Sequence, residues 1–224
     1  VDSDSFFEIS KDFAQNIVIG FALIAGQTVG VIANQPSILG GVLNCDASDK
    51  AARFIRYCDA FDIPLITLVD IPGFLPGPEE EAKGIIRHGA KLIYAYSEAT
   101  VPKITIIIRK AYGGAYIGMC SKHIGADFVF AWPSAEIAVM GADGAVQILF
   151  SKDIQANSDP EYMNKKQIEY KSMFMKAEIA AEKGYITEVI KPEETRRKVL
   201  LSLSFLFGKK SNLSITKKHG NIPL

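Results

Sequence analysis

Short apolar runs alternating with amphipathic stretches predict an α/β fold built on a mostly parallel sheet. The runs PLITLV and KITIIIR are rich in β-branched residues, as expected for strands buried in a parallel sheet. Between the runs, apolar residues recur at helical spacing. Neither a repeat nor a linker divides the chain, so residues 1–224 read as one domain.

The elements follow in order. Residues 16–25 and 28–33 read as a β-hairpin turning at Gly26-Gln27, and Asn34-Gln35-Pro36 ends it. Asp46 or Ser48 caps a helix reaching Phe61, with Ala51, Ile55, Cys58 and Phe61 on one face. A buried strand spans 64–69. The loop 70–78 (DIPGFLPGP) leads into a helix over 79–99. Glu79, Glu80 and Glu81 suit its N-terminal dipole, and Ile86, Ala90, Ile93 and Ser97 share one face. A core strand occupies 103–109. AYGGA at 111–115 is a second glycine loop, opening a short helix to Met119. Strands over 128–132 and 136–140 precede a loop and helix at 141–150. A polar, Lys-rich helix over 162–183, a strand over 187–190 and a helix over 193–206 complete the order. From Gly208 an extended polar tail, 208–224, is expected.

Composition excludes several classes. The 25 Lys+Arg balance 25 Asp+Glu, which argues against a nucleic-acid binder. No apolar stretch is long enough to cross a membrane. Cys45, Cys58 and Cys120 are widely spaced, and the three His are scattered, so no metal site is expected. Reduced thiols point to the cytoplasm, or to the mitochondrial matrix in a eukaryote. The chain starts without Met and without a signal peptide, and is expected to be a piece of a longer protein.

Chemistry is sought at the strand exits, where open α/β sheets gather ligands. Two exits carry glycine: VDIPGF at 69–74 and RKAYGGAY at 109–116. Each can present backbone N–H groups with no side chain in the way, and the second opens a helix whose first amides are unpaired. Side by side, two such loops form an oxyanion hole. Read from spacing alone, the glycines serve equally as tight turns for helix–sheet packing. Neither loop is a phosphate-binding fingerprint, and no nucleophile elbow is present. Tyr112 and Tyr116 flank the glycines as wall or packing residues. His88 reads as a helix-surface residue, His123 as a loop residue, and the Lys165, Lys166 and Lys171 stretch as a solvated face. No paired carboxylates mark an acid–base mechanism.

Specific segments carry a resemblance. They are GGVLNCDASDKAARFIRYCDAF (40–61), VDIPGFLPG (69–77), GIIRHGAKLIYAYSEATVPK (84–103), RKAYGGAY (109–116), SKHIGAD (121–127) and AWPSAEIAVMGADGAV (131–146). Together with KKHGNIPL (217–224), they resemble the C-terminal half of the biotin-dependent carboxyltransferase subunits, the propionyl-CoA carboxylase beta family. The resemblance implies a crotonase-like β-β-α superhelix, the second of two such domains in the intact subunit. It also implies that an N-terminal domain holds the acyl-CoA, while the C-terminal domain of a facing subunit holds carboxybiotin. A biotin carboxylase and a biotin carboxyl carrier subunit are the implied partners, and a hexamer the implied assembly.

By the same resemblance, carboxybiotin yields CO2 and a biotin anion that takes the α proton of the thioester. Biotin is then the base, which accounts for the lack of a protein acid–base pair. Gly113, Gly114 and Ala115 would be the catalytic loop, with Gly114 and Ala115 donating to the ureido oxygen. Gly73, Phe74 and Tyr112 would line the pocket, with Gly141 and Ala142 as further substrate-binding candidates. Ile117 stands where many propionyl-CoA carboxylases have Asp, at a position that helps select acyl length. Propionyl-CoA, acetyl-CoA, butyryl-CoA and a decarboxylase role all stay open. The chain alone is expected to be inactive, and a purely oligomerising fragment is the alternative from another class. A crotonase-like hydratase would need a carboxylate aimed at the thioester, and a Clp-type peptidase a Ser where Ala115 stands.

Overall fold

The computed structural model describes residues 1–156, 159, 161–209 and 220–223. One sheet organises it, in the order β1 (Phe7–Ile9), β2 (Ile17–Ile24), β3 (Gln27–Asn34), β4 (Leu65–Ile71), β5 (Lys103–Tyr112), β6 (Phe128–Ala131), β8 (Glu188–Val189), with β7 (Glu136–Ala138) also against β5. The first three strands pair antiparallel, and every later pairing is parallel. The hairpin forms as expected: Ile24 pairs with Gln27 around Gly26, which sits at φ +79°. β1 lies outside the expected elements, because three half-exposed residues carry no periodic signal.

The helices cover both faces. α1 (Cys45–Ala60) buries Ala51, Ile55 and Cys58, as the spacing predicts. Its cap is Asn44, whose Oδ1 accepts from the Ala47 N–H; neither Asp46 nor Ser48 serves. Phe61 lies beyond the helix and is exposed. The expected helix over 79–99 is two, α2 (Pro78–Lys83) and α3 (Ile85–Glu98). Gly84 at φ +89° separates them, a left-handed conformation that ends helices. The buried face of α3 is Ile85, Gly89, Leu92 and Tyr96, one residue round from the face expected; Ile86 is 85% exposed.

α4 (Gly113–Gly118), α5 (Ala142–Leu149), α6 (Ser151–Ala156) and α7 (Tyr162–Tyr170) follow. The expected helix over 162–183 breaks into α7, a π turn at Lys171–Met175 and α8 (Ala177–Glu182). α9 (Thr195–Phe205) closes the chain's second layer. Leu65, Val69 and Ile107 pack with Ile55, Leu92 and Tyr96 on one face of the sheet. Ile66, Ile104 and Ile106 pack with Val199 and Leu203 of α9 on the other. Burial on both faces is why β4 and β5 read as continuous apolar runs. Most of the tail expected over 208–224 lies outside the described residues.

Candidate active site

Both glycine exits lie side by side at the carboxyl ends of β4 and β5. Each strand runs further than expected, to Ile71 and Tyr112, and Ile71 pairs with Ala111. From there β5 turns directly into α4 through Gly113 at φ +61°. A Cβ at Gly113 would stand 2.9 Å from the carbonyl oxygen of Val139, so this turn requires glycine. Among the described residues, the amides of Gly114 and Ala115 donate to no backbone carbonyl. The amides of Gly73 and Phe74 are likewise unspent. First-turn amides lack an intrahelical partner and carry the positive end of the local dipole.

A cavity of about 710 Å³ opens beside the Gly113–Gly114 turn; Ala115, Gly73 and Phe74 are not among its lining residues. Gly113, Gly114 and Ile117 line one side of it, and Ile137, Ala138 and Val139 come from β7 and its exit. Aromatic rings supply most of the remaining wall. The His123 ring stands edge-on to Tyr185 at 5.3 Å and to Tyr116 at 6.3 Å, and Tyr170 meets Phe174 at 5.1 Å. Lys183 brings a positive charge to the rim. The Tyr116 side chain is buried, its hydroxyl has no hydrogen-bond partner, and burial pushes its pKa up to about 12.

The other expected site residues have different places. Ala115 is buried, with its methyl in the core. The Phe74 ring turns inward, close to where side chains on Gly89 and Gly118 would stand. Tyr112, Gly141 and Ala142 sit behind the cavity. Gly141 caps α5 against the Tyr112 ring, and Ala142 packs with Tyr112 and Met175. The Tyr112 hydroxyl donates to the Glu136 carboxylate, which also pairs with Lys171 Nζ at 2.9 Å. Burial raises the Glu136 carboxyl, but these two hydrogen bonds outweigh it and hold the group below its ordinary value. Burial first, and Glu136 second, push the Tyr112 phenol up.

Sequence reasoning missed His123, Tyr170, Phe174, Lys183 and Tyr185. Three of them fall in the stretch 162–183, whose polarity reads as a solvated face; no motif marks them. The three cysteines are free and buried. Among the described residues, no three His, Cys, Asp or Glu are grouped to hold a metal ion, and no helix is long and apolar enough to cross a membrane.

The family model described as a carboxyl transferase domain matches residues 1–222. The chain belongs to that family. This carboxyl transferase chain is 57% identical over 224 residues to a putative propionyl-CoA carboxylase beta chain of Bacillus subtilis, covering 100% of itself and 44% of that relative. It is 53% identical over 225 residues to the methylmalonyl-CoA decarboxylase subunit alpha of Propionigenium modestum, covering 100% of itself and 43% of the relative. Against the crystal structure of the transcarboxylase 12S subunit, known from Propionibacterium freudenreichii, the TM-score is 0.94 at 52% identity, covering 100% of this chain and 43% of that one. That structure is described as a hexamer with methylmalonyl-coenzyme A and methylmalonic acid bound. The carboxyl transferase chain thus spans less than half the length of these relatives. Its fold is the crotonase-like one that the resemblance implied.

Proposed function

We propose that residues 1–224 are the biotin-side, C-terminal domain of a carboxyltransferase subunit. The reaction is transfer of a carboxyl group from carboxybiotin to the α carbon of a short-chain acyl-CoA, propionyl-CoA or acetyl-CoA. One observation carries the reading: the amides of Gly114 and Ala115 are unspent at a turn whose Gly113 and Gly114 line an aromatic-walled cavity.

The cavity has the size usual for small-molecule sites, and its mix of flat rings with a few polar groups suits a compact bicyclic ligand. When bound, carboxybiotin supplies the carboxyl group and a basic ring nitrogen. Gly114 and Ala115 hold the ureido oxygen, where negative charge develops. Such donors act strongly because they are already oriented and need not reorganise as charge appears. Gly73 and Phe74 contribute unspent amides from the neighbouring strand exit, and Ile117 sets the apolar floor of the cavity. Tyr112, Gly141 and Ala142 support the loop from behind. Lys183 offers a counter-charge to a carboxylate at the rim.

The thioester half of the pocket comes from the N-terminal domain of a facing subunit within a hexamer. A biotin carboxylase and its biotin carboxyl carrier load the site. The similarity to a decarboxylase subunit at 53% identity favours a second reading, the same site run towards decarboxylation. Assays in both directions, with and without Na+, separate the two.

Ala115→Pro in the complete subunit tests the donor role. The substitution deletes one N–H near the start of α4, and thermal unfolding of the variant checks that the fold is retained before activity is read. Carboxyl transfer is expected to fall by about a hundredfold. Unchanged transfer in a folded variant overturns the assignment.

A further inference from the structure

The two glycine exits are joined by a carboxylate that no glycine pattern marks. β4 and β5 pair evenly from Leu65↔Lys103 to Val69↔Ile107. The next pair is Ile71↔Ala111. Between these pairs β4 has only Asp70, whereas β5 has Ile108, Arg109 and Lys110. The ladder is interrupted there, and such bulges re-aim the strand beyond them. β5 also changes neighbours at this point, from β6 below the bulge to β7 above it.

The Asp70 side chain spans the interruption. Its carboxylate accepts from the Lys110 N–H at 3.2 Å and from Arg109 Nε at 3.0 Å, with Arg109 Nη2 at 2.9 Å. The Asp70 side chain is 12% exposed, while that of Arg109 is 55% exposed. The carboxylate is thus tucked into the gap, and the guanidinium closes over it. On its other side, the Asp70 N–H donates to Asn34 Oδ1 at 3.2 Å, and a Cβ on Gly41 would stand 2.9 Å from the Asp70 carbonyl oxygen. Asp70 is therefore fixed from β3 and itself fixes β5. Two residues past Lys110, the chain reaches Tyr112 and the turn that presents the amides of Gly114 and Ala115.

We propose that Asp70 is a positioning residue: by bridging the bulge, it sets where the Gly114 and Ala115 amides stand relative to those of Gly73 and Phe74. The proposal rests on the oxyanion-binding reading above. A charged hydrogen bond in a nearly buried gap is directional, and small displacements of a catalytic donor cost rate steeply.

The test uses the complete subunit with its carrier. Asp70→Ala is expected to lower kcat for carboxyl transfer at least tenfold, with KM for acyl-CoA within about twofold. Asp70→Asn, which keeps an acceptor for the Lys110 N–H, is expected to recover part of that kcat. A purely structural role would lower the melting temperature while leaving the activity of the folded fraction intact, and that result overturns the proposal. So does wild-type kcat in folded Asp70→Ala. If Asp70→Ala does not fold, Arg109→Met replaces it, and a kcat within twofold of wild type is then the refuting result. Ala115→Pro, run alongside, separates the two failures. Loss in Ala115→Pro with none in the Asp70 variants rejects the clamp alone, whereas wild-type activity in both rejects the amide site itself.

Discussion

Gly113 and Gly114 are adjacent, yet the structure predicts opposite results for the same substitution. At Gly113, alanine must adopt φ +61°, which costs an L-residue about 1–2 kcal/mol. Its Cβ would also lie 2.9 Å from the Val139 carbonyl oxygen, a backbone atom that cannot swing away. Relieving that contact costs about 1–3 kcal/mol by analogy with overpacked cores. Gly113→Ala should therefore destabilise the chain by roughly 2–5 kcal/mol, a fall in Tm of about 4–20 °C for this size. At Gly114, a Cβ meets nothing within 4 Å. Alanine there gains up to about 1 kcal/mol of helix propensity, so Gly114→Ala should be as stable as wild type or slightly more. Its methyl projects beside the cavity, and carboxyl transfer in the complete subunit should fall despite the intact fold. Thermal unfolding followed by circular dichroism reads both variants. A Gly113→Ala protein melting within 2 °C of wild type, or two glycines responding alike, would refute the geometry of this turn.

The remaining predictions need simpler measurements. Tyr116→Phe removes a buried hydroxyl that has no partner, so the unfolding free energy from denaturant titration should hold or rise by about 0–1 kcal/mol; a clear loss of stability would reveal a bond made by that hydroxyl. Asp2 is held at a pKa of about 2, against an ordinary 3.8, by the Gly26 N–H, Arg196 and the Ala25 N–H. A depressed folded pKa means that the carboxylate stabilises the fold above pH 4 and that this contribution fades as pH falls towards 2. The gap in Tm between wild type and Asp2→Asn should therefore be present at pH 6 and nearly closed at pH 2. A gap independent of pH would contradict the ion pair.

Much of this was legible before folding. The hairpin, α1 and the strands β4 and β5 follow from local periodicity, turn residues and apolar runs, because each signal is satisfied by neighbours in sequence. Boundaries were less legible. Lys110, Ala111 and Tyr112 look like loop residues beyond a strand ending at Arg109, yet they belong to β5, where Asp70 across the bulge accepts the Lys110 N–H. The face of α3 was misplaced by one residue, since Ile85 and Ile86 are equivalent by hydropathy and only the docking of α3 against α1 selects Ile85.

Fold class, family resemblance and the two glycine exits could be read from the chain alone, since they depend on residue type and short spacing. What surrounds those exits emerged only on folding. Tyr116, His123 and Tyr185 converge on one cavity from separate elements, and the Asp70 clamp joins residues 39 positions apart. Such pairings depend on how strands register and helices stack, and no local pattern in the chain encodes them.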